Sequence, residues 1–360
     1  MKTFKTLSAI LLTATLLACG GGGGGGASNP SNNSTTTSYV VSTLVLSPQL
    51  TAPSAISGIS IDSQGNLYVA DSGANLVRKI TNVNNSPVNV STVLGGGNTS
   101  YSSCLNSLLD SPYGIVIDSS SHIYVTESNK TVVRYADCTA STTFSQEYGS
   151  LTAGLTLLNP RGVALYGSTL YVVDAGNYKI RAITDNGAHS GVTATLAGTS
   201  NGYVNGAAGT SAFSLPTGIA VASSGVVFVA DTNNCAIRMI SSGQVSTFAG
   251  SGPNNLGTGP VACGSADGTG TAALFDHPTG LAIDGSDNLY VADSVSNKIR
   301  RITPQGVVTT IAGSGGSGST DGAGSSATFN TPTGITIDSS GAVFVVDSGT
   351  NKIRKITVTP

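Results

Sequence analysis

Apolar and polar positions alternate along residues 332–356, PTGITIDSSGAVFVVDSGTNKIRKI. A period of two predicts strands rather than helices. Three are expected, at 334–338, 342–347 and 352–356, joined by Asp-Ser-Ser-Gly and Asp-Ser-Gly-Thr-Asn, whose residues favour turns. Such a meander carries apolar residues on both faces and cannot bury them alone. The chain meets this need by repetition.

The unit occurs six times, marked by Pro53, Pro112, Pro160, Pro216, Pro278 and Pro332. Second strands end LYVAD at Asp71, IYVTE at Glu127, LYVVD at Asp174, VFVAD at Asp231, LYVAD at Asp293 and VFVVD at Asp347. Third strands read LVRKI, VVRYA, KIRAI, AIRMI, KIRRI and KIRKI around Arg78, Arg134, Arg181, Arg238, Arg300 and Arg354. A fourth strand follows most units, as in TATLAG to Gly198, VSTFAG to Gly250 and VTTIAG to Gly313. Four strands per repeat predict an all-β, six-bladed β-propeller. The last unit lacks a fourth strand, and 39–46, YVVSTLVL, has the character of the missing one. The N-terminal strand is therefore expected to complete the last blade and cover its edge.

Three residues before each proline stands an apolar side chain: Leu50, Leu109, Leu157, Phe213, Phe275 or Phe329. These read as plugs between neighbouring blades. In the later repeats they follow Asn205-Gly206, Asp267-Gly268 or Asp321-Gly322. By strand alternation, the fourth-to-first loops share a face with the second-to-third loops.

The segment before the array has a different composition. Residues 1–19 combine Lys2 and Lys5 with an apolar stretch ending LLAC, which predicts a leader. It resembles the lipobox of bacterial lipoproteins, and the resemblance implies that Cys19 is lipidated and becomes the first mature residue. Gly20 follows the cysteine, with no Asp to favour the inner membrane, so the expected location is the outer membrane of the bacterial envelope. Residues 20–38, a glycine run followed by Ser, Asn, Thr and Pro, read as a flexible tether with a mean reach of about 24 Å. The propeller is assigned to 39–360. The whole chain's low charge (9% of residues), 47 glycines and absence of tryptophan suit an all-β protein rich in turns.

An acid and an arginine recur seven residues apart in every repeat: Asp71 and Arg78, Glu127 and Arg134, Asp174 and Arg181, Asp231 and Arg238, Asp293 and Arg300, Asp347 and Arg354. A carboxylate ending one strand can accept loop N–H groups and an Arg fork from the next strand. Because all six repeats carry the pair, it is read as structural rather than as a ligand site. Asp62, Asp118, Asp284 and Asp338 end first strands, each before a short turn, and read as turn caps rather than a Ca²⁺ ring. His122, His189 and His277 fall at different phases of the repeat, so no metal-binding or His-based catalytic set is expected. There is no phosphate-binding loop or Cys-x-x-Cys, and no catalytic residue, metal or cofactor is assigned. Four cysteines remain after Cys19, an even number that suits disulfides in an exported protein. Cys235 and Cys263 lie on loops of one face and form the preferred bridge. Cys104 with Cys138 follows by elimination, although strand counting places their loops on opposite faces.

PTGLAIDGSDNLYVADSVSNKIRRI, ending at Ile302 and followed by VVTTIAG, resembles an NHL repeat. The likeness extends over all six units and implies a six-bladed NHL propeller. The family includes RNA-binding and protein-binding modules, sensor domains and a few metal-dependent lyases. The net charge of −2 and eight scattered cations in the array, Arg161 among them, argue against nucleic acid. The expected function is a monomeric, lipid-anchored binding or scaffold module that takes a protein, peptide or glycan on its loop face. The alternative is a metal-dependent lyase or hydrolase. In such lyases, histidines from several blades converge on a metal, and the equivalent positions here lack them.

Overall fold

The computed structural model describes residues 37–47, 55–84, 88–96, 104–138, 144–148, 156–184, 192–252 and 263–359. Residues 37–360 form one compact unit. They build six sheets of four or five strands, antiparallel except where Leu46–Ser47 pairs parallel with Val88–Gly95, an all-β six-bladed propeller. Blade five is representative: inner strand Pro278–Ile283, second Leu289–Asp293, third Lys298–Ile302 and outer Val307–Ala312. In five blades every residue of the second strand is buried. A strand packed on both faces needs apolar residues at successive positions, which explains the runs LYVA and VFVV.

The core is divided among the blade junctions. Six apolar clusters each join two adjacent blades, and the cluster uniting Leu67 and Val69 with Phe344 and Val346 closes blade six onto blade one. Leu109, Leu157, Phe213, Phe275 and Phe329 are all buried and belong to these clusters. Leu50 and Pro53 lie outside the described residues.

The N-terminal strand closes the ring. Ser38–Thr43 pairs antiparallel with Lys352–Thr359, from Ser38 opposite Thr359 to Thr43 opposite Arg354. Thr43 also donates its N–H and hydroxyl to Asp321, at 3.0 and 2.9 Å.

Three expectations require correction. First, Ile56, not Pro53, starts blade one: Ile56 pairs with Asp71 as Pro112 pairs with Glu127 and Pro278 with Asp293. Second, the fourth-to-first connections do not stay on one face. Gly206–Ala207 pairs with Gln244 and Val245 at the start of blade four's outer strand, at the far end of the blade. Gly268–Thr269 and Gly322–Ala323 do the same in blades five and six. Each connection descends the outer edge and returns, covering backbone groups that would otherwise be open. Third, the strand count that set Cys104 and Cys138 on opposite faces does not keep them apart. Cys104 lies on the connection entering blade two, Cys138 follows that blade's third strand, and the two are bridged with Cα atoms 5.9 Å apart. Cys235 and Cys263 are bridged as well, with Cα atoms 5.4 Å apart.

Candidate binding site

The acid–arginine pairs lie inside the blades. Contact distances are 3.2 Å for Asp71–Arg78, 2.6 Å for Glu127–Arg134, 2.7 Å for Asp174–Arg181, 2.6 Å for Asp231–Arg238, 2.9 Å for Asp293–Arg300 and 3.3 Å for Asp347–Arg354. All six carboxylates are fully buried. In blades two to six, the acid also accepts the backbone N–H of the residue two before the blade's proline, as Asp293 does from Asp276 at 2.7 Å. In blades four to six, the arginine's second arm grips Asn205, Asp267 or Asp321, each at 2.7 Å, on the descending connection. Its guanidinium stacks over Phe213, Phe275 or Phe329. Burial pushes the carboxyls of Asp231 and Asp293 up to about 6, although each faces its arginine.

The carboxylates of Asp62, Asp118, Asp284 and Asp338 cap their own turns. Each accepts N–H groups two and four residues on, at 2.8–3.0 Å. His122 lies 2.7 Å from Asp118 and His277 lies 2.7 Å from Asp276, in different blades; His189 is outside the described residues.

At the propeller axis, each inner strand carries a bulge after its first residue that includes a glycine. These are Gly58, Gly114, Gly162, Gly218, Gly280 and Gly334. A Cβ on any of them would approach a carbonyl oxygen of the next blade closer than the 3.0 Å that real contacts essentially never pass. The glycines therefore set how tightly the blades close. The axial cavity they line is about 90 Å³, room for a few water molecules.

Of the residues just before these glycines, Ser57, Tyr113, Thr217, Thr279 and Thr333 line the mouth of the axial cavity, and Arg161 holds the same position of the repeat in blade three. Four are small hydroxyls engaged in linking backbone and side chains. Ser57 donates to Pro112 O at 3.1 Å and Thr333 to Ser57 O at 3.2 Å; Thr217 meets Thr232, and Thr279 meets Ser294, each at 2.6 Å. Tyr113 and Arg161 break the pattern on adjacent blades. The Arg161 guanidinium carbon is 5.1 Å from the Tyr113 ring centroid, and its Nε is buried without a hydrogen-bond partner among the described residues.

Apolar exposure on the same connections extends this asymmetry. Leu105 and Leu108 on the connection into blade two, and Leu158 on the connection into blade three, are 56%, 52% and 51% exposed. Leu158 lies over that blade's second-to-third turn, its carbonyl accepting from Gly176 at 2.8 Å. Lys130, on the equivalent turn of blade two, donates to Leu108 O at 2.8 Å. An aromatic ring, two cations and exposed leucines thus mark the sector over blades two and three. They can cover an apolar segment and receive a carboxylate. Sequence reasoning placed Arg161 only among scattered cations. The signal available was the one column of the repeat in which Ser or Thr gives way to Tyr and then Arg.

The NHL repeat pattern matches residues 213–238 and 329–356. NHL repeat-containing protein 2 of Bos taurus is 35% identical over 153 residues, 39% of this chain and 20% of that protein. This chain spans about a fifth of the length of the curated relatives it matches. An auxiliary nutrient binding protein from Bacteroides thetaiotaomicron superposes with a TM-score of 0.65 at 19% identity, covering 90% of this chain and 78% of that one. A virginiamycin B lyase from Staphylococcus aureus, with quinupristin, gives a TM-score of 0.54 at 16% identity, covering 89% and 100%. At these identities the two structures show a common fold.

Proposed function

This chain belongs to the NHL-repeat family, and we propose that it is a binding module that receives a peptide or protein segment on its loop face, over blades two and three. The observation that carries this reading is the break in six-fold sameness at the mouth, where Tyr113 and Arg161 meet on the two blades whose incoming connections carry exposed Leu108 and Leu158. The leucines supply apolar contact area. Arg161 supplies a planar fork suited to a carboxylate, from an acidic side chain or a chain terminus. A neighbour of like fold named as a nutrient-binding protein supports a binding role.

The same reading places the propeller on the bacterial envelope. Residues 1–19 would act as a lipoprotein leader, Cys19 as the lipid attachment point and 20–38 as the tether to a propeller spanning 39–360. Replacing Cys19 with Ser should move the protein from the detergent-requiring membrane fraction to the soluble one.

The binding test uses arrays of leucine-rich peptides made with either a free terminal carboxylate or an amide. Binding of the acid form should weaken about tenfold or more in Arg161→Ala, as loss of a charge-assisted hydrogen bond implies, with the melting temperature unchanged. Equal binding of acid and amide peptides, undiminished in Arg161→Ala and Tyr113→Ala, would remove the mouth from the mechanism. Retention of a glycan array in place of peptides would redirect the ligand class. Retention abolished by a chelator would favour the metal-dependent alternative.

A further inference from the structure

The junction of blades four and five departs from the repeat at two facing positions. Four residues after the second-strand acid, the chain enters the left-handed region, at Asn75, Asn297 and Asn351 among others. Asn75 Oδ1 accepts the N–H of Ser111 in the next blade at 2.8 Å, and Asn297 Oδ1 accepts that of Thr331 at 2.9 Å. These clasps join blade one to blade two and blade five to blade six. In blade four the clasping residue is Cys235, with φ of 50°, and the position opposite it in blade five is His277, with φ of 56°. Cys263 and Asp276 join them from the connection into blade five. Side-chain atoms of Cys235, Cys263, Asp276 and His277 all lie within 4.8 Å of one another.

Two thiols, an imidazole and a carboxylate form a zinc donor set. Zn–S bonds near 2.3 Å and Zn–N or Zn–O bonds near 2.0–2.2 Å place tetrahedral donor atoms about 3.3–3.8 Å apart, within reach of this cluster by small movements. The backbone is held independently of any metal: Asp276 donates its N–H to buried Asp293 at 2.7 Å, and Val295 N donates to Asp276 O at 3.1 Å. The disulfide is what bars the site, because sulfurs bonded to each other provide no thiolate. We propose that Cys235, Cys263, Asp276 and His277 form a zinc site that opens when the Cys235–Cys263 disulfide is reduced, so that a metal clasp replaces a covalent one at this junction.

The chemistry requires a dithiol reductant. Cys263 is the exposed partner and Cys235 the fully buried one, so the reductant's thiolate attacks Cys263 Sγ. The S–S bond breaks, Cys235 leaves as a thiolate, and a mixed disulfide forms. The reductant's second thiolate then displaces Cys263 and closes its own disulfide, having transferred two electrons. Zinc takes the place of the protons the two thiols would otherwise hold.

The test uses the full chain carrying Cys19→Ser, so that only the four propeller cysteines are present. The protein is reduced with a phosphine, desalted without oxygen, and titrated with zinc or cobalt chloride. The expected result is one metal ion per reduced chain and none per oxidised chain. Cobalt should give thiolate charge-transfer bands and the intense visible bands of a tetrahedral site. His277→Ala and Asp276→Asn should weaken affinity roughly tenfold or more, and each variant's fold is verified by circular dichroism. A Cys104→Ser/Cys138→Ser variant should bind as before. Uptake equal in oxidised and reduced chains, no uptake after reduction, or undiminished affinity in His277→Ala would overturn the proposal.

Discussion

Replacing Asp293 by Ala tests whether the acid–arginine pairs act as buried structural clasps. Asp293 is fully buried and accepts from Asp276 N at 2.7 Å and Arg300 Nη1 at 2.9 Å. Its removal leaves an N–H without its acceptor and a guanidinium without its buried anion. Breaking one side of a buried pair costs about 3–5 kcal/mol. Here the lower end applies, because Arg300 keeps Asp267 at 2.7 Å and the carbonyls of Leu274 and Ala266 at 3.0 and 2.9 Å. The expected loss of about 3 kcal/mol is a large part of a normal domain's stability. The carboxyl's rise to about 6 follows from burial outweighing the Asp276 N–H and Arg300 together, so the pair gives little net stability even though breaking it is costly. Asp293→Leu/Arg300→Met should therefore lose less than the sum of the single variants, with a coupling of about 1.5–3 kcal/mol. Urea unfolding followed by far-ultraviolet circular dichroism suits this tryptophan-free chain. An Asp293→Ala loss below about 1 kcal/mol, or strict additivity in the double variant, would refute the reasoning.

Gly218→Ala should cost about 1–3 kcal/mol, since its Cβ would strike the carbonyl of Thr279, whereas Gly209→Ala, with nothing within 4 Å, should be close to neutral in the same melts. Stability should rise on acidification from pH 7 to about 4–5, because Asp231 and Asp293 take up protons near 6 when folded and only near 3.8 when unfolded. Further acidification should reverse the trend: burial raises Asp267 and Asp321, but hydrogen bonds with Thr310, Thr43 and the partner arginines hold both below the ordinary value. A melting temperature that falls steadily from pH 7 to pH 4 would contradict this assignment. Removing residues 37–44 should leave the Lys352–Thr359 edge unpaired and produce concentration-dependent association on size-exclusion chromatography; a monomer of unchanged melting temperature would show that the pairing is dispensable.

The blades were legible because each second strand is enclosed on both faces and each third strand carries an arginine at a fixed offset, so packing imposes the same letters six times. Blade one's start was misplaced because proline served as the marker. Gly58 and Asp62, two and six residues after Ile56, preserve the true spacing. Blade two's outer strand, Phe144–Tyr148, reads FSQEY and lacks the Ala-Gly ending of VSTFAG, so its pairing with Val132–Asp137 is what identifies it. The descending connections pair through two residues at a time, too few to leave a period. Asp267-Gly268 and Asp321-Gly322 stood out as a motif, yet their arginines lie 33 residues further on and meet them only when the connection folds back. The mouth was hidden for a related reason. Tyr113 and Arg161 are 48 residues apart in sequence and become neighbours only through the order of blades around the axis.

The shared blade also determines when the molecule can finish folding. Blades whose four strands come from one stretch of chain can form as that stretch becomes available. Blade six cannot, because Ser38 pairs with Thr359, 321 residues away. Bringing such distant segments together incurs a large loop-closure cost before any contact rewards it, which makes this the slow step. Until it occurs, Ser38–Thr43 and Lys352–Thr359 each remain an open edge able to pair with another molecule. The interval between emergence of the first strand and arrival of the last is therefore the period in which the chain most needs to be kept apart from its own copies.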